Sequence, residues 1–108
     1  MESGKFEDMR RSMVDSQLRT SGVTESWVLT AMGSIAREDY VPVSHQNTAY
    51  MDRSLELENG ETLNPPVSTA LLLQAADVRA DDNVLLIGQA NGYVAAIVKT
   101  RSAHVTTA

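Results

Sequence analysis

The sequence predicts an α/β fold in which N-terminal helices are followed by a single βαβ unit. Three observations support this prediction. Residues 84–87 form a continuous apolar run, which is typical of a strand that is buried on both faces of a parallel sheet. A turn that contains two glycines follows directly, at residues 88–92. Apolar residues recur at helical spacing in three earlier segments of the chain.

Composition and charge narrow the classes of function. The chain has 108 residues, of which 43% are hydrophobic and 21% charged, as in one small soluble domain. The net charge is −5, and the Arg10–Arg11 pair is expected to lie on a solvated helix face, so we predict no nucleic-acid partner. No apolar run reaches the roughly 18 residues of a membrane helix, which predicts no membrane partner. The chain has no cysteine, which predicts neither disulfides nor thiolate metal sites, and we expect a cytoplasmic protein.

The first two predicted elements are helices. Apolar residues spaced along residues 5–21 predict a helix that ends at Gly22, since glycine suits the position just after a helix. A second helix is predicted to begin at Thr24, because threonine is a good N-cap residue. It should end before Val41 and Pro42, because proline disfavours a helical residue in front of it.

A hairpin and a third helix follow. Apolar and acidic residues alternate over 55–58, and the next two residues, Asn59-Gly60, suit a two-residue type I′ turn. Asn64 is placed to cap the third helix, with Pro65 at its first position, where a missing N–H costs nothing.

The second half of the chain carries the βαβ pattern. After the strand at 84–87 and the glycine turn, residues 93–99 predict a helix and residues 103–107 a second strand. We therefore expect a helical region at residues 1–63 and the start of a ligand-binding domain at residues 64–108.

The spacing of the turn distinguishes between ligands. A dinucleotide-binding turn requires G-x-G-x-x-G, whose third glycine would fall at Tyr93, and a phosphate loop requires Lys-Ser or Lys-Thr after its last glycine. Neither pattern fits. The turn from Gly88 through Gln89 and Ala90 to Gly92 is close to the G-x-G-x-G turn of S-adenosylmethionine-dependent methyltransferases. Taken alone, the turn could equally be structural.

Several short segments, in order and in register, resemble one family. Residues 84–93 resemble the V-L-E-I-G-T-G-S-G-Y motif of protein-L-isoaspartate O-methyltransferases. Residues 37–42 are similar to its R-E-x-F-V-P segment, residues 49–52 to A-Y-x-D, and residues 60–66 to the segment around G-Q-T-I-S-Q-P. Residues 13–23 look like the family's first helix.

The resemblance implies a Rossmann-like domain that binds S-adenosylmethionine and methylates the α-carboxylate of isoaspartyl residues in damaged proteins. It implies cofactor contacts from Gly88, Gln89, Ala90 and Gly92, and catalytic roles near the substrate for Thr62 and Asn64.

The sequence departs from the family pattern at several positions. Leu86 replaces an acidic residue of the cofactor strand, and Ala90 replaces the middle glycine of the turn. Asn64 stands where the family has a serine, and Glu61 replaces a glutamine that precedes it. These changes leave open a non-catalytic relative that acts as an interaction module, and a role for Asn64 as a helix cap alone. His45 and His104 have no metal-ligand spacing around them and are expected to be incidental.

The resemblance also implies that the domain is truncated. The last predicted strand ends about where the family carries an acidic residue that binds ribose hydroxyls. One βαβ unit supplies a single neighbour for an apolar strand, and we expect the chain to be marginally stable or to self-associate.

Overall fold

The computed structural model describes residues 2–58, 60–88 and 92–108. Four helices and four strands occur in these ranges, and their order confirms the predicted α/β class. They are α1 (Glu2–Met13), α2 (Ser26–Ser34), β1 (Leu55–Glu56), β2 (Thr62–Leu63), α3 (Pro66–Ala76), β3 (Asn83–Leu86), α4 (Tyr93–Lys99) and β4 (His104–Thr107). Shorter helical turns cover Val14–Leu18, Arg19–Ser21, Arg37–Tyr40 and Val43–Thr48.

The first helix ends where the sequence predicts. α1 continues through a π-helical turn at Val14–Leu18 and a 3₁₀ turn at Arg19–Ser21. Gly22 follows with φ +95°, a left-handed conformation that glycine adopts without strain. The amide of Val23 donates to the carbonyl of Leu18 at 3.0 Å and closes the helix end.

The second helix begins later than predicted. α2 starts at Ser26, and no side chain of its own first turn caps it. Instead, the side chain of Gln74, in α3, accepts hydrogen bonds from the amides of Thr24 and Glu25 at 2.7 and 3.0 Å. The predicted Thr24 cap is therefore wrong, because a residue 50 positions away satisfies these amides.

The predicted hairpin is present, but its turn is one residue longer. β1 and β2 pair antiparallel, and the amide of Leu57 donates to the carbonyl of Glu61 at 2.8 Å. This pair leaves residues 58–60 in the turn instead of two residues, so the type I′ prediction is wrong. Gly60 has φ +81°, whereas Asn59 lies outside the described residues.

The βαβ unit is confirmed. β3 and β4 pair in parallel, from Asn83 opposite His104 to Leu86 opposite Thr107. The pairing continues beyond the strands, since the amide of Ala108 donates to the carbonyl of Leu86 at 2.8 Å. α4 connects the two strands and packs against β4.

Only one face of this sheet is covered by the described chain. Val84 and Leu86 pack against the core, whereas Leu85 and Ile87 are 58% and 73% exposed. Successive side chains of a strand point to opposite faces, and the apolar core lies against one face alone. The prediction that both faces of this strand are buried is therefore wrong for this chain.

One apolar core joins the N-terminal helices to the βαβ unit. α2 packs against both α3 and α4. Many of the fully buried apolar side chains lie in the first helical stretch, α2, α3 and α4; they include Leu18, Val28, Met32, Ala70, Ile97 and Val98. Ala49 and Leu55, which lie outside these helices, are fully buried as well. The core fixes the position of α4, and thereby that of the turn in front of it, relative to the N-terminal half.

Within the described ranges, no helix combines the length and apolar character needed to cross a membrane.

Candidate active site

The predicted cofactor turn follows the carboxyl end of β3. Gly88 and Gly92 have φ values of +77° and +79°, a conformation that favours glycine. Gly88 is exposed, and a Cβ added there would meet nothing within 4 Å. Its amide donates to the carbonyl of Ala108 at 3.1 Å, which ties the turn to the end of β4. The other predicted cofactor residues, Gln89 and Ala90, lie outside the described residues.

An aromatic pair lies next to the end of this turn. Tyr93 is the first residue of α4 and is fully buried. Its ring centroid is 5.5 Å from that of Tyr40, with the ring planes at 60°. Tyr40 Cε1 also lies 3.9 Å from the position that a Cβ on Gly92 would take. The 3₁₀ turn at Arg37–Tyr40 therefore contacts the glycine turn directly.

Arg37 lies at the start of the same 3₁₀ turn and is also fully buried. Its guanidinium carbon is 5.1 Å from the ring centroid of Tyr93. Nε donates to the carbonyl of Ala49, and Nη2 donates to the carbonyl of Asn64 at 3.0 Å. Burial lowers the pKa of the guanidinium, and the neighbouring Tyr93 partly offsets this effect.

Asn64 does not cap α3. Pro65 is extended, with ψ 150°, because the residue before a proline avoids the helical region, and α3 therefore begins at Pro66. Asp52 supplies a cap from another segment, since its Oδ1 accepts a hydrogen bond from the amide of Val67 at 3.1 Å. The predicted N-cap role of Asn64 is wrong. Asn64 itself is exposed, so its amide side chain is available to a ligand.

Thr62 and Asn64 lie on the same side of an extended segment. Leu63, between them, is buried at 4% exposure, whereas both neighbours are exposed. Alternation along the segment thus directs Leu63 into the core and the two polar side chains outward. Arg37 links the backbone of Asn64 to the ring of Tyr93, the residue that follows the glycine turn. Thr62 has no hydrogen bond to that turn within the described ranges.

Leu86 stands where the family carries an acidic residue. Its side chain packs against the apolar core, and its carbonyl is occupied by the amide of Ala108. The β3 strand therefore presents no carboxylate to a ligand at this position.

Sequence reasoning missed a buried polar network beside the site. Tyr50 is 3% exposed. Its hydroxyl accepts hydrogen bonds from Arg10 Nε at 2.8 Å and from the backbone amide of Arg37 at 3.0 Å. The same hydroxyl donates a hydrogen bond to Glu38 Oε1. Arg10 Nη2 also forms an ion pair with Glu38 Oε2 at 3.2 Å, so the prediction that Arg10 lies on a solvated face is wrong. The same prediction is confirmed for Arg11, whose side chain is exposed. Burial raises the pKa of Tyr50 to about 12. The available signal was the position of Arg37, Glu38 and Tyr50 in segments that resemble the family; Arg10 lies outside those segments.

The histidines form no metal site. Among the residues that the structure describes, no group of three or more histidine, aspartate or glutamate side chains is arranged to hold a metal ion.

A parallel βαβ unit whose first turn begins and ends with left-handed glycines is typical of α/β domains that bind a ligand at the carboxyl end of the sheet. The sequence matches the family described as protein-L-isoaspartate(D-aspartate) O-methyltransferase over residues 9–107. Because the match covers almost the whole chain, the chain belongs to that family.

Named relatives agree with this assignment. The chain is 38% identical over 92 residues to protein-L-isoaspartate O-methyltransferase 2 of Anaeromyxobacter sp. (strain Fw109-5), covering 85% of this chain and 38% of that protein. It is 35% identical over 107 residues to protein-L-isoaspartate O-methyltransferase of Methanoculleus marisnigri, covering 99% of this chain and 49% of that protein. The chain thus spans less than half the length of these relatives.

Solved structures support the fold. A protein-L-isoaspartate O-methyltransferase superposes with a TM-score of 0.74 at 24% identity, over 91% of this chain and 33% of the other. A putative enzyme of the same name from Plasmodium falciparum, solved with S-adenosyl-L-homocysteine, superposes with a TM-score of 0.72 at 18% identity, over 84% of this chain and 41% of the other. At these identities the comparison concerns the fold alone.

The left-handed glycine at the end of the turn should be required for stability. Gly92→Ala should lower the free energy of unfolding by about 1–2 kcal/mol, because φ +79° is strained for an L side chain. Gly33→Ala is the matched control. It lies in α2, where the new Cβ would sit 3.6 Å from Val14 Cγ2 in ordinary contact, and should raise stability by about 0.5–1 kcal/mol. Urea unfolding followed by circular dichroism measures both, and changes of the same sign would contradict the assignment.

The buried Tyr50 should make stability fall in alkali. Its pKa is about 12 in the folded chain against 10 in the unfolded chain, so its contribution is complete below pH 10 and is lost as the pH rises to 12. The loss should reach about 3 kcal/mol, at 1.36 kcal/mol for each pH unit. Tyr50→Phe should be less stable than the wild type at pH 8, and its stability should fall less steeply as the pH rises. Its stability should still fall, because burial raises the pKa of Tyr93 as well. Denaturant titrations from pH 8 to 12 test this, and parallel slopes would refute it.

Proposed function

We propose that this protein transfers a methyl group from S-adenosylmethionine to the α-carboxylate of isoaspartyl residues in damaged proteins, as a step of protein repair. The observation that carries the proposal is the turn after β3, where the two family glycines adopt the left-handed conformation and Gly88 has open space around it. Family membership over residues 9–107 supports the same reaction.

One feature of the chain fits a bound cofactor, and another departs from the family pattern. The open space at Gly88 permits close approach of the cofactor, and Gln89, Ala90 and Gly92 complete the proposed cofactor residues. Leu86 supplies no carboxylate, so we expect weaker binding than in relatives that have one there. When bound, the cofactor supplies an electrophilic methyl group on a sulfonium.

The proposed role of the chain is positioning. The substrate carboxylate is ionised at neutral pH, so no general base is needed. In our proposal the Asn64 amide donates a hydrogen bond to the carboxylate and Thr62 lines the same exposed segment. A carboxylate oxygen forms the new C–O bond as the C–S bond breaks, which leaves a methyl ester and S-adenosylhomocysteine. Correct alignment of the two reactants is the main contribution to the rate.

The buried cation supports this placement. Arg37 donates to the carbonyl of Asn64, so its positive charge lies beside the residue that we propose to bind the carboxylate. That charge partly offsets the repulsion expected from Glu61, which is exposed three residues before Asn64.

A second candidate is a non-catalytic member of the family that acts as an interaction module. The packing of Leu86 into the core favours it, because the strand then lacks the polar contact of the family pattern. Titration of the folded chain with S-adenosylhomocysteine separates the two candidates, since a degenerate module should not bind it.

We further propose a division of labour along the chain and a location. Residues 1–63 form the substrate side and residues 64–108 the start of the cofactor side, consistent with the positions of Thr62 and of Gly88. The acidic composition and the lack of cysteine are compatible with a cytoplasmic location and cytoplasmic protein substrates.

The substrate role of Asn64 can be tested by one substitution. Asn64→Ala should lower kcat/KM for an isoaspartyl peptide by about 10- to 150-fold, the value of a hydrogen bond to a charged group, and leave the Kd of S-adenosylhomocysteine unchanged. Asn83→Ala, an exposed asparagine at the opposite end of β3, is the control and should change neither. An unchanged kcat/KM in Asn64→Ala would remove Asn64 from the mechanism.

We also propose that the chain self-associates through the open face of its sheet. Leu85 and Ile87 point away from the core on the same side of β3 and are largely exposed. Sedimentation velocity should detect oligomers of the wild type. The double substitution Leu85→Lys, Ile87→Lys should convert these oligomers to monomers. Arg79→Lys, an exposed substitution elsewhere, should leave them intact, and a monomeric wild type would contradict the proposal.

A further inference from the structure

We infer that Arg37 is a positioning residue that couples the substrate segment, residues 62–64, to the glycine turn. The inference rests on the proposed function, because it assigns to Arg37 the task of keeping the two ligands in alignment. Arg37 touches neither ligand in this view, and acts through the backbone of Asn64 and the ring of Tyr93.

The contact on the substrate side is with backbone, not with a side chain. Arg37 Nη2 donates to the carbonyl of Asn64 at 3.0 Å, while Nε donates to the carbonyl of Ala49. The planar guanidinium thus joins two segments that are 15 residues apart in sequence, and its geometry fixes where the Asn64 backbone lies. The Asn64 side chain remains free to reach solvent.

The contact on the cofactor side is aromatic. The same guanidinium lies 5.1 Å from the ring centroid of Tyr93, the residue that directly follows Gly92. Tyr40, at the other end of the 3₁₀ turn, packs on Tyr93 and approaches Gly92. A displacement of the glycine turn is therefore transmitted through these contacts to the 3₁₀ turn at Arg37–Tyr40, and from Arg37 to the backbone of Asn64. A displacement of Asn64 is transmitted along the same contacts in reverse.

The energetic cost of this arrangement argues for a role beyond filling space. Among the described residues, no carboxylate lies within salt-bridge distance of Arg37, and the acceptors of its side-chain hydrogen bonds include the neutral carbonyls of Ala49 and Asn64. A buried charge with only neutral acceptors is costly, and an apolar side chain of similar length often serves stability better. Only arginine reaches two carbonyls at once while it covers an aromatic ring.

Two ligands that act on one rigid unit should strengthen each other's binding by the same factor. Isothermal titration of the wild-type chain with S-adenosylhomocysteine, with and without a saturating isoaspartyl peptide, measures this factor as a ratio of Kd values. We expect a ratio of about 5 or more in the wild type.

The decisive variant is Arg37→Lys, which keeps the positive charge but loses the planar guanidinium that donates to two carbonyls. It should bring the ratio close to 1 while the Kd for S-adenosylhomocysteine without peptide stays near the wild-type value. Arg10→Lys is the matched control: Arg10 is a partly buried arginine with polar partners, but it contacts neither Asn64 nor Tyr93. It should lose stability and keep the wild-type ratio.

The outcomes separate this inference from the proposed function. A wild-type ratio that persists in Arg37→Lys overturns the coupling role and leaves the function standing. A folded wild type that binds no S-adenosylhomocysteine overturns both.

A measurement on the unsubstituted chain covers the case in which Arg37→Lys does not fold. The Arg37 Nε–H resonance should shift in titrations with S-adenosylhomocysteine and also with the peptide, because both ligands act on the guanidinium through its contacts. Binding of both ligands without any shift of this resonance would overturn the inference.

Discussion

The structure depends above all on the burial of one guanidinium. A charged group removed from water must find acceptors nearby, and Arg37 finds them in the carbonyls of Ala49 and Asn64. Those carbonyls belong to segments without a long helix or strand, so the hydrogen bonds of regular secondary structure do not hold these segments in place. The requirement to solvate this cation therefore determines the path of the chain between α2 and α3, and with it the position of the extended segment before α3.

Local signals predicted the elements whose causes are local. The helix that ends at Gly22 and the parallel strand pair around α4 follow from apolar periodicity and from glycine at left-handed positions. Both predicted caps failed for one reason: the free amides at the helix starts bind side chains from elsewhere. Gln74 serves α2 and Asp52 serves α3, and such pairings have no signature in the neighbouring sequence.

The candidate site divides in the same way. Gly88 and Gly92 adopt the left-handed conformation that glycine favours, and this conformation is a local property. The ligand roles of Gly88, Gly92 and Asn64 stay predictions from the family resemblance. Nothing in composition or periodicity indicates that Arg37 and Tyr50 are buried, because arginine is almost never fully buried and is read as a surface residue. Only their position in segments shared with the family singled them out, and that position says nothing of their contacts.

The glutamine that joins α2 to α3 has a consequence for the order in which the chain folds. Gln74 also donates to the carbonyl of Gly22 at 3.0 Å, so one side chain satisfies both the end of the first helical stretch and the start of the second. During synthesis the corner between these helices stays incomplete until about fifty further residues have left the ribosome. The N-terminal helices therefore gain these hydrogen bonds only after α3 has been synthesised, and such long-range contacts are of the kind that slows folding.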